Sequence, residues 1–447
     1  MRKIIPVFVS LLFLGLLVGC GGNQQQPAPE ATTPIANAGT DQNVYINLQC
    51  QLDGSLSSGN LATYTWRIKS LPASATTPAV VSADSKKAYF IPTTTGAYEF
   101  ELVLNNSLGS SIDAVAITVN AFQAPSLEAG FFGICDHLPS HDGQSATDLN
   151  TNIQMLKELG TQFVRFDFDW KEIETADDGF SFSKYDDIVD KLTAQNIKIL
   201  GILDYGNNWS DPTTGNTTEI NRFADYVVNT VRHFKNKVKI WQIWNEPNNE
   251  LFWPSPNAAN YAKLLQAAYA AAKQADPQSV VVLGGLVGNG QDEIVISGIR
   301  FASANFLSGI YSNNGKDCFD VVAIHPYNYT TDISSTASLV SAIDGTKTIM
   351  SNNGDGSKEL WITELGPLLF PPTAVPLIST RGYSEAEIAT WLNLIYTDLK
   401  PKVQKLFWYE FRDFPGDLSI TNPNWEGLVK SDFTPKQAFT TYKNLPK

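Results

Sequence analysis

Between Gly130 and Asp413 eight short apolar runs alternate with longer amphipathic segments, and no other feature of the chain restricts its fold as much. The runs are GFFGIC, FVRFDFDW, IKILGILDYG, VKIWQIWNEPN, VVVLGGLVG, FDVVAIHPYN, ELWITELGP and KLFWYEFRD. Between them lie stretches with apolar residues at helical spacing, such as DLNTNIQMLKELG, EINRFADYVVNTVRHF, NYAKLLQAAYAAAKQADP and EAEIATWLNLIYTDLK. Eight strand signals, each with a plausible helix behind it, predict an α/β chain folded as a (β/α)8 TIM barrel over residues 125–447. An open doubly wound sheet would usually carry a Gly-rich phosphate loop after its first strand, and GICDHLPSHDG has no GxGxxG.

The chain has 447 residues, more than one small core needs, so a further domain is expected beside the barrel. Hydrophobic residues make up 43% and charged residues 17%, which argues against global disorder and against a many-span membrane protein. A net charge of −13 would repel nucleic acid and anionic lipid, so a neutral ligand is the better expectation. Beyond Cys20, the three cysteines Cys50, Cys135 and Cys318 are too scattered for a disulfide framework or a CxxC metal pattern, and all three read as small buried hydrophobes. Nothing in the sequence calls for a cofactor.

The N-terminal MRKIIPVFVSLLFLGLLVGC has a basic start, an apolar run short for a membrane span, and LVGC at its end. It resembles a bacterial lipoprotein signal peptide over residues 1–19. The resemblance implies lipidation of Cys20 and a flexible tether over 20–33; Gly21 and Gly22 in place of an Asp point to the outer membrane, on its periplasmic face or at the cell surface. From 34 to 121 short alternating runs (AYEFELVL, DAVAITV) separated by Gly, Ser and Asn clusters predict a small β-sandwich. The words IANAGTDQNV, LDGSLSSG, YTWRI and FIPTTTGAYEFELVLNNSLGSS resemble a PKD-type immunoglobulin-like domain, with Trp66 and Tyr98 as inward aromatics, and imply a spacer or a weak interaction module.

In a barrel of this kind reacting groups project from the C-terminal ends of strands. WQIWNEP puts Asn245 and Glu246 there on the fourth run, and LWITELGP puts Glu364 there on the seventh. NEP and ITELG on these two strands resemble the clan of retaining glycoside hydrolases with two catalytic glutamates. VRFDFDW, HPYN and GLVKSDFTPKQAF bring the likeness nearest to endo-glycosidase and xylosidase types. Glycosidic cleavage needs a proton for the leaving oxygen and an electron pair for the anomeric carbon, and two carboxyl groups about 5 Å apart supply both with retention. The resemblance implies that Glu246 is the acid/base and Glu364 the nucleophile. It further implies that Arg165 and Tyr327 hold the nucleophile ionised and that Asn245 bonds the sugar 2-hydroxyl.

Arg165 could instead be buried against Asp167 or Asp169. His325 of HPY could orient a loop or touch substrate. Trp209, Trp253 and Trp425 follow strands three, four and eight, where they could stack on sugars or pack loops. Either Trp408 or Tyr409 of FWYEF could line the barrel mouth, and Trp408 is taken here as the lining residue. Asp136, His137, His141 and Asp142 of CDHLPSHDG could gather a metal ion, but their spacing fits no strong metal motif; no metal is expected, and His137 reads as a sugar contact. The expectation is a monomeric, lipid-anchored retaining β-glycosidase of the bacterial cell envelope, endo-acting on a polysaccharide. A non-catalytic polysaccharide-binding lipoprotein on the same barrel is the alternative.

Overall fold

The computed structural model describes residues 32–46, 48–60, 63–121, 125–138, 146–288, 294–296, 299–301, 303–327, 333–367, 383–413 and 426–447. The 1–19 leader, Cys20 and most of the 20–33 tether lie outside the described residues, as do His141, Asp142 and Trp425.

The N-terminal domain is all-β. One sheet orders the strands Gln42–Tyr45, Gly109–Asn120, Gly96–Asn106 and Thr63–Ser70, and a second pairs Cys50–Asp53 with Lys87–Phe90. In Gly96–Asn106 every second residue from Tyr98 to Leu104 is buried, the period of a half-covered strand, and these side chains close on Cys50, Trp66 and Phe90. Trp66 Nε1 donates to the carbonyl of Ser85 at 3.1 Å and Tyr98 Oη to that of Thr94 at 3.0 Å, so both aromatics bury their rings with their polar atoms satisfied.

The sandwich lies against the side of the barrel, on the helices Thr217–Phe234 and Ala258–Ala275. Lys87 Nζ sits 2.8 Å from Asp225 Oδ2, Gln51 also bonds Asp225, and Gln274 Nε2 donates to Gln42 Oε1 at 2.6 Å. Burial raises the Asp225 carboxyl above its ordinary range, with Lys87 and Gln51 opposing that shift.

The eight runs form a closed parallel barrel in sequence order. Strands one to eight are Phe132–Cys135, Phe163–Asp169, Lys198–Asp204, Ile240–Asn245, Val280–Val287, Val321–His325, Glu359–Leu365 and Lys405–Trp408, and strand eight closes on strand one with Leu406 opposite Phe132. Residues of alternating direction divide between two layers. Cys135, Phe163, Leu200, Ile240, Val280, Val321, Trp361 and Phe407 fill the barrel interior. Their outward neighbours, Val164, Trp241, Ile243, Leu406 and Trp408 among them, pack under the helices. In Thr217–Phe234 the buried Ile220, Phe223, Val227, Val231 and Phe234 recur at three- and four-residue spacing, and the Asn216 side chain caps the first turn, a contribution of about 1 kcal/mol. Cys50 and Cys135 are buried free thiols; Cys318, expected to be buried, is only half-buried because it lies in the turn after the helix Ser303–Ser312.

Candidate active site

Strand four sends Ile240 and Gln242 inward, and its regular alternation ends at Trp244, where φ is +69°; Glu246 follows with φ +43°. Left-handed backbone on residues with a Cβ costs about 1–3 kcal/mol each and persists only where the surroundings fix it. Here the fixing groups are visible. Trp244 turns outward onto Trp253, ring centroids 5.1 Å apart, and donates from Nε1 to the Phe252 carbonyl at 3.1 Å. Asn248 clamps the loop to strand five, donating to the Val287 carbonyl at 2.8 Å and accepting from its N–H at 3.1 Å. The outcome is a Glu246 side chain aimed into the barrel mouth.

Glu246 is buried among neutral partners. Its Oε2 accepts from Asn249 Nδ2 at 2.7 Å and its Oε1 lies 2.7 Å from His325 Nδ1. Burial raises its carboxyl to about 7, against smaller opposing effects of Asn249 and Arg165. The His325 ring is wholly buried, and burial lowers it to about 3, so its contact with Glu246 joins a neutral imidazole to a carboxyl group. His325 Nε2 meets Thr363 Oγ1 at 3.0 Å. A hydroxyl can donate or accept, so the imidazole can carry its single proton on either nitrogen as Glu246 gains or loses one. The ring fits because residue 285 is glycine: a Cβ there would fall 2.0 Å from Nε2.

Glu364 lies at the end of strand seven, where the pairing with strand eight slips between Ile362 and Leu365. A bulge of this kind re-aims a side chain. Both Glu364 oxygens meet donors: Arg165 Nη1 lies 3.1 Å from Oε2, and Tyr327 Oη donates to Oε1. Arg165 is itself fixed on three sides, by Gln242 Oε1 at 3.2 Å, Asn245 Oδ1 at 2.8 Å and Glu364. It therefore serves Glu364 and Asn245 rather than resting against Asp167 or Asp169. One ligand atom each from Glu246, His325 and Glu364 lie within 4.8 Å of one another. These three atoms could surround a cation, but Arg165 and Tyr327 already occupy Glu364, and a metal ion would face the guanidinium charge at close range.

On the opposite rim, His137 Nε2 lies 3.1 Å from Tyr409 Oη and 3.5 Å from Glu410 Oε2, while Nδ1 is 3.8 Å from Asp167 Oδ2. Burial disfavours the imidazolium, yet Asp167 and Asp136 outweigh it and raise His137 above its ordinary value. Asp204, fully buried at the end of strand three, is pushed well up by burial and by Asp167 and Asp169.

Two expected platforms are core residues. Trp253 has no exposed surface and packs edge-on between Trp244 and Tyr261, because the turn after Glu246 folds back under the loop. Trp408 is equally buried; with Phe407 pointing inward, strand alternation sends Trp408 out onto Trp391 at 5.9 Å, so Tyr409 takes the lining position. Trp209 stays half-buried beside a hollow of about 780 Å³ lined by Asn207, Asn208, Asp211 and Asn216, with Arg222 5.5 Å from its ring centroid. Sequence reasoning missed Gln242, Asn249, Thr363 and Glu410, and of the two residues it weighed for the lining position it chose Trp408 over Tyr409. Two-residue alternation back from Asn245 skips Gln242 because of the turn at Trp244, whereas Glu410, an ionisable group just past a barrel strand, was a signal available in FWYEF.

The sequence model of the cellulase family, glycosyl hydrolase family 5, matches residues 120–367, more than half of the chain and the whole span from strand one to strand seven. The chain belongs to that family. Among curated proteins, this family 5 chain is similar to a beta-xylosidase of Geobacillus stearothermophilus, 30% identical over 141 residues; the match spans only 28% of that relative's length and 28% of this chain. Among solved structures it is similar to a family 39 glycoside hydrolase of Bacteroides cellulosilyticus WH2, with TM-score 0.54 and 21% identity over 92% of this chain and 81% of that one. A monomeric beta-xylosidase of Caulobacter crescentus CB15 superimposes with TM-score 0.55 at 18% identity, over 72% of this chain and 69% of its own. At such identities the likeness establishes the shared barrel fold.

Proposed function

We propose that this family 5 chain is a retaining β-glycosidase acting on a polysaccharide by double displacement, with Glu364 as nucleophile and Glu246 as acid/base. The observation that carries the reading is the contrast between two neighbouring carboxyl groups. Glu246 lies among neutral groups and burial raises it to about 7, while both Glu364 oxygens receive donors, one of them the Arg165 guanidinium. In the first step a Glu364 oxygen attacks the anomeric carbon, the bond to the leaving oxygen breaks, and that oxygen takes the Glu246 proton. In the second, Glu246 removes a proton from water, whose oxygen attacks the same carbon and releases Glu364. Two inversions give retention, and the close approach of the two carboxyl groups favours this course over the wider spacing that inversion needs.

Asn245 supports the same chemistry. Arg165 occupies its Oδ1 at 2.8 Å, which leaves the amide N–H groups to bond the sugar 2-hydroxyl as positive charge develops on the ring. The xylosidase relative supports a neutral β-linked sugar as substrate, and Trp209 beside its open hollow supports a chain longer than one unit, hence endo action. In this reading the enzyme is a monomer tethered through a lipid on Cys20, with a PKD-type sandwich between anchor and barrel. The test is release of reducing ends and product sizing on a polysaccharide panel that includes exopolysaccharide of the producing organism. Internal cleavage products are expected; affinity for a glycan with no cleavage of any panel member would favour the non-catalytic binding platform.

A further inference from the structure

One sandwich side chain joins two separate elements of the barrel. Lys87 Nζ lies 2.8 Å from Asp225 Oδ2 on the helix Thr217–Phe234 and 3.1 Å from Asp178 Oδ1. Asp178 turns the hairpin between Glu174–Ala176 and Gly179–Phe180, in the loop that follows strand two. The Lys87 and Asp225 side chains are 16% and 14% exposed, so this contact is sheltered, unlike the surface ion pairs that contribute little. Burial works against the Lys87 ammonium, yet Asp225 and Asp178 outweigh it and raise it above its ordinary value. Lys86 also reaches Asp178, at 3.4 Å, but makes no contact with Asp225 and cannot replace the bridge.

Both elements lead to the same ring. Asp178, in left-handed backbone at φ +61°, donates its N–H to Glu174 Oε1 at 2.9 Å, and Glu174 Oε2 accepts from Trp170 Nε1 at 2.6 Å. Trp170 is wholly buried and packs edge-on against Trp209, ring centroids 5.7 Å apart. From the helix, Tyr226 stacks on Trp170 at 5.7 Å, and Arg222, about one turn before Asp225, lies 5.5 Å from the Trp209 centroid. Glu219 pairs with Arg222 at 3.2 Å and bonds Ser210, the residue after Trp209. Trp209 Nε1 has no hydrogen-bond partner among the described residues, so packing sets the angle of its ring.

Resting on the glycosidase reading and on the sugar platform it gives to Trp209, we propose that Lys87 of the sandwich is a positioning residue for that platform. By fixing the hairpin and the helix at once, it sets the Trp209 ring for units of a bound polysaccharide distant from the cleaved bond. The sandwich then contributes to polysaccharide binding through the barrel, without Lys87 touching sugar. Glu246 and Glu364 are held by Asn249, His325, Arg165 and Tyr327, none of which belongs to this frame. The effect of Lys87 is therefore on affinity for long substrates and not on the chemical step.

The test measures kcat and KM of the full chain and of its Lys87→Met, Lys87→Arg, Trp209→Ala and double Lys87→Met, Trp209→Ala variants. The substrates are aryl β-glycosides and short and long xylo- and cello-oligosaccharides. Lys87→Met should raise KM for the long oligosaccharides by about three- to tenfold and shift kcat and the aryl glycosides by about twofold or less. Lys87→Arg, which keeps the charge, should stay near wild type. If Lys87 acts through the platform, the double variant should lose no more than Trp209→Ala alone. An unchanged KM in Lys87→Met, losses that multiply in the double variant, or an equal loss on aryl glycosides overturns the proposal. Calorimetric binding of the same oligosaccharides to the same proteins separates this role from the glycosidase reading. If nothing is hydrolysed but Lys87→Met and Trp209→Ala weaken binding alike, the glycosidase reading fails and the positioning role stands. Binding that Lys87→Met leaves unchanged, or no binding by the wild type, overturns the role.

Discussion

His325 holds Glu246 through a 2.7 Å contact between Nδ1 and Oε1 while remaining a neutral ring, because complete burial, aided by the Arg165 charge, outweighs the pull of Glu364. Glu246 thus has a polar partner that can accept from its protonated form or donate to its ionised form without carrying a positive charge. That is what a group alternating between acid and base in one catalytic cycle requires.

The pH dependence follows from this environment. With its carboxyl at about 7, Glu246 loses its proton as pH rises through neutrality, so kcat/KM should fall on the alkaline side with an apparent pKa near 7. The folded value is raised above the unfolded one, so the stability linked to this proton is complete below the unfolded pKa and is lost as pH rises through the folded pKa. Glu246→Gln should therefore stabilise the chain by up to about 3 kcal/mol at alkaline pH and by little at acid pH. Urea denaturation at the two pH values checks the sign.

Gly285 makes the room for His325. A Cβ at 2.0 Å from Nε2 must displace the ring and break its contacts with Glu246 and Thr363. Gly285→Ala should cost about 1–3 kcal/mol of stability. It should also lower kcat by at least about tenfold on substrates with poor leaving groups, and by less where the leaving group needs no proton. A rate loss independent of the leaving group would contradict the role given to His325.

The tryptophans divide by burial. Trp253→Ala removes a fully buried indole and should cost about 3–5 kcal/mol in denaturant unfolding. Trp209→Ala, which removes a half-buried ring packed on Trp170, should cost less stability than Trp253→Ala and raise KM for long oligosaccharides while sparing aryl glycosides.

Much of the architecture was legible because eight apolar runs carry the spacing a closed barrel needs, and because NEP and ITELG end two of those runs. The detail of the rim was less legible. FWYEF alternates correctly, but nothing within it says whether Phe407 or Trp408 starts inside; that phase is set by Phe163 and Trp361 on other strands. Trp253 reads as a surface loop residue, yet the left-handed turn at Glu246 folds its segment under the rim. The partnership of Asp225 with Lys87 joins residues 138 apart, beyond the reach of local pattern.

That partnership also bears on the sandwich. Deleting residues 24–121 should leave hydrolysis of small aryl glycosides nearly unchanged, since the docked face lies on the helices and away from the glutamates. The truncated barrel should melt at a lower temperature because it loses the Lys87 and Gln51 contacts to Asp225. A folded but inactive truncation would show that the sandwich completes the site.

The assignment of the two glutamates is tested most directly by the stereochemistry of azide rescue. Glu246→Ala should still be glycosylated by an aryl glycoside with an acidic phenol and then stall, because no base activates water; azide should release a glycosyl azide of retained configuration. Glu364→Ala lacks the nucleophile, so azide can act only by direct attack and should yield the inverted azide. NMR of the two products reads the outcome. A retained azide from the Glu364 variant together with an inverted one from the Glu246 variant would reverse the roles, and undiminished hydrolysis by both variants would contradict the mechanism outright.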